Sequence, residues 1–591
     1  MIMKTVYQEL KARFAEALLK IVPANFGPVD PLLKETNDKN FGDYQSNVAM
    51  GLAKALKKSP REIAELLLET VDLKPICIST TIAGPGFINL KLDAAYVALK
   101  LEAVAFDSRL GVAQVENPIP CLIDFSSPNL AKEMHVGHLR TTITGEVIAR
   151  LLEFQGHAVE RVNHVGDWGT QFGMLLQHIY EEHPHVLDKP DDFHVTDLEV
   201  FYKAAKKRFD EDEKFSDNAR SKVVLLQSGD VTALKLWRVF LAESLRHCHE
   251  IYDLLDVKLK DVGESFYNDR LAAIVKEIQD KGFAVEDKGA LCVFLEGFTG
   301  REGEPLPFII RKSDGGYNYA STDLAAMKYR LFERGARRII IITDIRQSQH
   351  FAMLFALAKR MGWTDGGVEL CHIGYGMVLG SDKKPFKTRS GDTVRLKDLI
   401  DESIERSRSV IVKNVSDGGK SFTPEKTEEI AKAVGLAAIK YFDLSHNLTS
   451  DYVFSWDHML AMDGNTGPYM LYAYARIQSV GRKAGLELSS LPRDTKLLLE
   501  HPTEIELAKA LLRFGDVLRD AADDLKPNLI TEYLYGLSKA FNAFYDKKQG
   551  VKILDAGSED IRHSRLLLCH ITAETLRLGL ALLGIKTVDA M

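Results

Sequence analysis

His135-Val136-Gly137-His138 stands between an apolar run, PCLIDF (120–125), and an amphipathic stretch, LRTTITGEVIARLLEFQ (139–155). Two imidazoles three residues apart can hydrogen-bond phosphate oxygens or carry charge toward them. Gly137 lets a ring or a phosphate approach the backbone. A helix beginning there adds free amides and the positive end of its dipole. A zinc pair is the competing chemistry, but no cysteine or acidic helix motif accompanies these histidines. His247-Cys248-His249 is discounted as a metal cluster, because adjacent helical side chains diverge. GDWGTQFG (166–173) is a second glycine-rich loop. Gly166 and Gly169 permit close backbone approach, and Asp167 or Gln171 can contact a substrate or a neighbouring loop. Its spacing is not GxGxxG and no ribose-binding acid follows, which argues against a dinucleotide.

The elements around these residues read as a βαβ unit. PCLIDF and AVERVNHV (158–165) are strands, with a helix over 139–155 closed by Gly156. Further apolar strands are RRIIIIT (337–343) and VELCHI (368–373), so an open parallel sheet with helices on both faces is expected. Residues 175–300 read as a charged helical insertion. The first 115 residues form an α+β module, with helices at 5–20, 45–57 and 60–70 and a strand pair around Gly84-Pro85-Gly86. From 425 onward the pattern is helical, at 425–445, 467–484, 503–523, 528–546 and 559–584. The expected domains are 1–115, 116–400, a connecting helical segment at 401–455, and an all-α domain at 456–591.

The chain has 591 residues, 46% hydrophobic and 27% charged, with a net charge of −7. That is globular composition, and it excludes a globally basic nucleic-acid coat but not a local basic groove. Six scattered cysteines without CxxC fit reduced thiols in a cytoplasmic protein. No apolar window reaches the ~18 residues needed to span a bilayer. The amino terminus reads as an amphipathic helix, not a signal peptide.

FSSPNLAKEMHVGHLR (125–140), followed by NHVGDWGTQFG (163–173), resembles the signature region of arginyl-tRNA synthetases, class I enzymes whose HIGH motif is HVGH here. The resemblance extends to NFGDYQSNVAM (40–50), YNYASTDLAA (317–326), RQSQHF (346–351), MVLGSDKKPFKTRSGDTVRL (377–396) and DGNTGPYMLYAYARIQS (463–479). It implies a Rossmann-type catalytic domain, an amino-terminal module that contacts the tRNA elbow, and an all-α carboxyl-terminal domain that reads the anticodon. It implies arginine activation by ATP and transfer of the arginyl group to the terminal adenosine of its tRNA, by a monomer that needs tRNA for activation. Mg2+ would accompany ATP; no protein-bound zinc is expected.

The resemblance also assigns residues. His135, Gly137 and His138 would hold ATP. Lys132, Lys384, Lys387 and Arg389 are candidates for the cations on the triphosphate, since KKPFKTRSG departs from KMSKS. Tyr319 and Asp323, four apart, share a face if helical, and a carboxylate accepts a guanidinium bidentately; a helix cap is the alternative role for Asp323. Ser127, Asn129 and Gln347 match positions for the amino and carboxylate groups of arginine, Asp124 and His135 also face that pocket, and His350 is equally a packing residue. Apart from the resemblance, Tyr375, Gly376 and Met377 follow a strand and are candidates to lie under adenine, with ordinary strand-end packing as the alternative. Phe41, Tyr44 and Gln45 are elbow contacts, and Tyr469 and Arg476 anticodon contacts. Aromatic residues at helical spacing, such as Tyr472, Tyr474, Tyr533, Tyr535, Phe541, Phe544 and Tyr545, are mostly core. A catalytically lost RNA-binding relative, a different nucleotidyl transferase or another class I specificity are the competing functions. Intact HVGH and Asp323 weigh against loss, and the helical tail against a small-metabolite enzyme.

Overall fold

The computed structural model describes residues 4–36, 38–130, 132–187, 198–300, 302–386, 394–416, 422–546, 548 and 550–591. The chain forms two compact units, one of residues 115–460 and one of 1–114 together with 461–591.

The 115–460 unit is built on five parallel strands: β1 (Pro120–Asp124), β2 (Ala158–Asn163), β3 (Lys260–Asp261), β4 (Arg338–Asp344) and β5 (Glu369–Tyr375). Their order is β5-β4-β1-β2-β3. The chain leaves β1 on one side for β2 and β3, and returns on the other for β4 and β5. The crevice at the carboxyl end of β1 is therefore the topological switch point. The isoleucines at 339–342 are buried, as expected for a strand covered on both faces. Helix α1 (Val136–Phe154) follows β1 and is stopped at Gly156, whose φ of 102° suits glycine. Helices α2 (Thr170–Glu182), α3 (Tyr319–Lys328) and α4 (Ser348–Arg360) complete the frame of the crevice.

The segment expected to be a helical insertion carries helices at Leu198–Glu211, Glu213–Gln227, Val231–Leu254 and Asn268–Asp280. It then departs from expectation. Ala284–Asp287, Ala290–Thr299 and Pro305–Arg311 form an antiparallel three-stranded sheet. Its first turn places Lys288 and Gly289 at positive φ, the requirement of a tight hairpin.

In the other unit, a four-stranded antiparallel sheet (Leu33–Glu35, Tyr44–Ser46, Phe87–Leu92, Cys77–Ala83) packs with helices, among them Val6–Ile21 and Pro60–Thr70. The start of the segment read as helix 45–57 is strand, and the helix is Val48–Leu56. The carboxyl-terminal helices run over Gly467–Ala484, Pro502–Leu512, Phe514–Asp523, Asn528–Tyr545 and Glu559–Leu582, so the expected helix at 503–523 is broken at Arg513. The two sequence-distant parts are stitched together. Lys509 Nζ lies 2.7 Å from Asp43, Thr5 Oγ1 donates to Asp516 at 2.7 Å, and Phe106 stacks on His570 at 5.0 Å. No helix among the described residues is long and apolar enough to cross a membrane.

Candidate active site

The loop after β1 is strained and held. Ser126 and Ser127 are both left-handed, at φ 70° and 44°, a conformation costly for non-glycine residues. Thr141 Oγ1 accepts the Ser126 N–H at 3.1 Å and Asn163 Oδ1 accepts the Ser127 N–H at 2.9 Å. The loop is zipped to the second glycine-rich loop, with Leu130 N–H on Gly166 O and Gly166 N–H on Pro128 O, each at 3.0 Å. A Cβ on Gly166 would lie 2.2 Å from Asn129 Oδ1, so glycine is required there. Asp124 does not offer its charge to the crevice. Buried Arg330 pairs with its Oδ2 at 2.6 Å and Ser127 Oγ donates to its Oδ1 at 2.9 Å, which corrects the expectation that it binds a ligand directly.

The HVGH segment caps α1 with its own rings. Gly137 N–H donates to His135 Nδ1, and His135 N–H donates to His138 Nδ1, both at 3.1 Å. The ring centroids are 4.0 Å apart. Surrounding protein, then the charge of Lys132, holds His135 below the usual imidazole pKa; burial, then His135, pushes His138 down to about 3. Both rings are neutral at pH 7. Since each Nδ1 accepts, the proton of each ring sits on Nε2. The pair supplies two neutral N–H donors and not two cations. A Cβ on Gly137 would meet the His135 ring at 2.9 Å. Lys132 is exposed, 5.4 Å from the Tyr202 ring centroid.

At the opposite end of the crevice, Asn318 caps α3 by accepting the N–H groups of Ala320 and Ser321. Asp323 is thereby released from the capping role and stands one turn after exposed Tyr319. Its Oδ2 meets His350 Nε2 at 2.6 Å, and its Oδ1 lies 3.9 Å from His164. No lysine or arginine pairs with it among the described residues. Tyr319 sits edge-on to His350 at 4.8 Å. The sequence reading missed Glu264 and His164. Burial first, then Asp323 and Asp167, raises the Glu264 carboxyl to about 7, and burial lowers His164. Glu264 has no cationic partner among the described residues. Glu264 carries no local motif, and His164, though inside the NHVGDWG run, has no spacing that ties it to Asp323; the fold brings both to it.

Gln347 is exposed at the start of α4. Tyr375 ends β5, with its hydroxyl pushed up to about 12 by burial. Gly376 donates to Leu448 O and accepts from Arg140, while Met377 N–H is taken by Asp451, so the backbone polar groups there are committed and the Met377 side chain is exposed. Lys384 is exposed in a turn; Lys387 and Arg389 lie outside the described residues. The backbone just beyond them returns to HVGH, with Val136 N–H on Val394 O at 3.0 Å.

Of the expected RNA contacts, Phe41 is exposed and Gln45 is bonded to Asn89. Tyr44 is only 5% exposed, so it is a core residue of its sheet and not a surface contact. Tyr469 and Arg476 converge on Asn542, at 2.6 and 3.1 Å. Around them Tyr472 is exposed, Lys539 lies over Tyr535 and Arg476 over Tyr545, whereas Tyr474, Tyr533, Phe541 and Phe544 are buried. His249 bonds Asp261 and His247 faces Glu243, with Cys248 buried between them.

A parallel sheet whose switch point holds an HVGH helix start, in a chain that also carries a helical carboxyl-terminal domain, defines a class I aminoacyl-tRNA synthetase. Family models agree: "tRNA synthetases class I (R), catalytic domain" matches residues 101–456, "DALR anticodon binding domain" matches 470–591, and "Arginyl tRNA synthetase N terminal domain" matches 8–92. The chain is 51% identical over 589 residues to an arginine–tRNA ligase of a Nostoc species, covering 100% of both, and 52% identical to that of Synechococcus elongatus over 99% of both. It is similar to the crystal structure of the arginyl-tRNA synthetase of Plasmodium falciparum, with a TM-score of 0.87, 32% identity and 100% of each chain covered. The Thermus thermophilus arginyl-tRNA synthetase shares the fold, with a TM-score of 0.79. The chain belongs to the arginyl-tRNA synthetase family. It is a ligase that forms arginyl-tRNA from arginine, ATP and tRNA.

Proposed function

We propose that the switch-point crevice of the 115–460 unit performs both half-reactions, with a division of labour between its two ends. The guanidinium of arginine lies between Asp323 and Glu264, with Tyr319 beside it. Ser127, Asn129 and Gln347 hold its amino and carboxylate groups. The ATP phosphates lie at the start of α1, where His135 and His138 donate from Nε2, and the adenine rests against Tyr375 and the Met377 side chain. Lys132, Lys384, Lys387 and Arg389 supply the cations for the leaving pyrophosphate, with Mg2+ held mainly by phosphate and water. The arginine carboxylate attacks the α-phosphorus, the α–β bridge bond breaks and pyrophosphate departs. A ribose hydroxyl of the terminal adenosine then attacks the arginyl carbonyl and releases AMP. Positioning and neutral donors on developing charge carry the chemistry, with no covalent enzyme intermediate.

One observation carries this assignment. Asp323 and Glu264 lie within each other's field and have no lysine or arginine partner among the described residues, Asp323 meeting the rings of His350 and His164 instead. A cation belongs there, and a planar one with several N–H groups satisfies two carboxylates best. The exposed aromatic and basic face of helices Gly467–Ala484 and Asn528–Tyr545 is read as the anticodon platform. Six unpaired thiols support a cytoplasmic location. The test is ATP–pyrophosphate exchange with each of the twenty amino acids, with and without tRNA. Exchange with arginine alone, and only with tRNA, is expected. Exchange with another amino acid would overturn the pocket.

A further inference from the structure

Asp167, the acid of the GDWG loop, is 3% exposed, and both oxygens of its carboxylate are taken by Ser265. Its Oδ1 accepts the Ser265 N–H at 2.9 Å and its Oδ2 accepts the Ser265 hydroxyl at 2.6 Å. On its other side, Trp237 Nε1 donates to the Asp167 carbonyl at 2.8 Å. Three more bonds run alongside. Asn163 Nδ2 donates to Asp261 Oδ1 at 2.7 Å, Val262 N–H to Asn163 O at 2.9 Å, and Glu264 N–H to Val165 O at 3.1 Å. Residues 261–265 are thus clipped along 163–167, bond by bond. The approach is so close that a Cβ on Gly263 would lie 1.9 Å from Asp167 Oδ2. Of the two acids on this strap, Asp261 is occupied by His249 and Asn163, whereas the Glu264 carboxyl has no side-chain partner among the described residues.

A bare carboxylate pushed toward another acid does not hold its own position. Repulsion from Asp323 and the drive to regain water both pull it out. Something in its backbone must resist, and the Ser265–Asp167 clip is the adjacent restraint. We propose that Asp167 is a positioning residue for amino-acid selection, which through Ser265 fixes Glu264 as the second acceptor of the guanidinium without touching the substrate itself. The inference rests on the arginine pocket assigned above.

Ser265 is the place to test it, because Asp167→Ala risks unfolding the loop. In the full chain with tRNA, Ser265→Ala is expected to raise the KM for arginine about tenfold, while the KM for ATP and kcat stay within about twofold. Ser265→Thr should restore the arginine KM. In a double-mutant cycle, Ser265→Ala should add nothing to Glu264→Gln, because its effect runs through that carboxylate. An unchanged arginine KM in Ser265→Ala, arginine and ATP KM rising together, or additive effects with Glu264→Gln would each overturn the positioning role while leaving the pocket intact. If Glu264→Gln alone leaves the arginine KM unchanged, the pocket itself fails and the clamp falls with it.

Discussion

The two ends of the crevice meet the same physical problem, desolvation, and answer it in opposite ways. At the start of α1, burial drives the histidines neutral, and the backbone then uses each Nδ1, which leaves the proton of each ring on Nε2. Around α3, burial pushes Glu264 toward neutrality but leaves it near 7, poised to ionise when a cation arrives. On the proposed assignment, the phosphate end is preorganised before any substrate binds, and the guanidinium end is completed by its substrate. Chemistry and selectivity should therefore respond separately to mutation and to pH.

His135→Ala should break the phosphate end most severely. Losing one preorganised donor typically costs ~2.7–4 kcal/mol, so kcat should fall by about 10²–10³. The arginine KM should change little, and a large rise in it would merge the two ends. Asp323→Ala should do the converse. A charge-assisted bond contributes ~1.5–3 kcal/mol, so the arginine KM should rise by roughly 10–150-fold while ATP binding persists. Steady-state kinetics with each substrate varied decides both.

The pH dependence sharpens the contrast. Below about 7 the Glu264 carboxyl is protonated in the free enzyme, and a proton must leave before the guanidinium is bound by the anion. The arginine KM should therefore rise as pH falls from 8 to 6, by up to about tenfold per unit below the pKa. Glu264→Gln should flatten that profile. The ATP KM should show no such rise, since His138 stays neutral throughout this range. The smallest effect is expected far from the chemistry. Tyr472→Ala should weaken tRNA binding by about 1 kcal/mol, roughly fivefold, with amino-acid activation by saturating tRNA unchanged.

What could be read from the sequence follows the same divide. The phosphate end is local: strand, HVGH and helix lie within 120–155, and a run such as RIIIITD has few alternatives to a buried strand. Asp323 stands out only through the resemblance carried by YNYASTDLAA, since its own spacing reads first as a helix cap. Glu264, the place of His164 beside Asp323 and the Asp167–Ser265 clip were not legible, because these residues come from segments about 55 to 160 residues before Asp323 and nothing in their own spacing ties them to it or to one another. The hairpins at 284–311 were hidden in a charged, largely helical insertion, although Asp287-Lys288-Gly289 is a turn signal. Tyr44 was misplaced because aromatic character alone does not tell core from surface; its neighbours in the antiparallel sheet do.

Arg140, two residues after HVGH, is fully buried and paired with Asp443 at 2.9 Å, and its guanidinium also grips the carbonyls of Gly376 and Ser450. Breaking such a pair costs about 3–5 kcal/mol. In mechanical terms it is a rivet through three pieces of chain: the first turn of the catalytic helix, the end of β5 from which the lysine segment departs, and the stretch that leads out of this unit at residue 460 toward the carboxyl-terminal helices. Within this unit, a pull on the stretch around residues 443–450 would reach the start of α1 through one side chain, with little slack to absorb it.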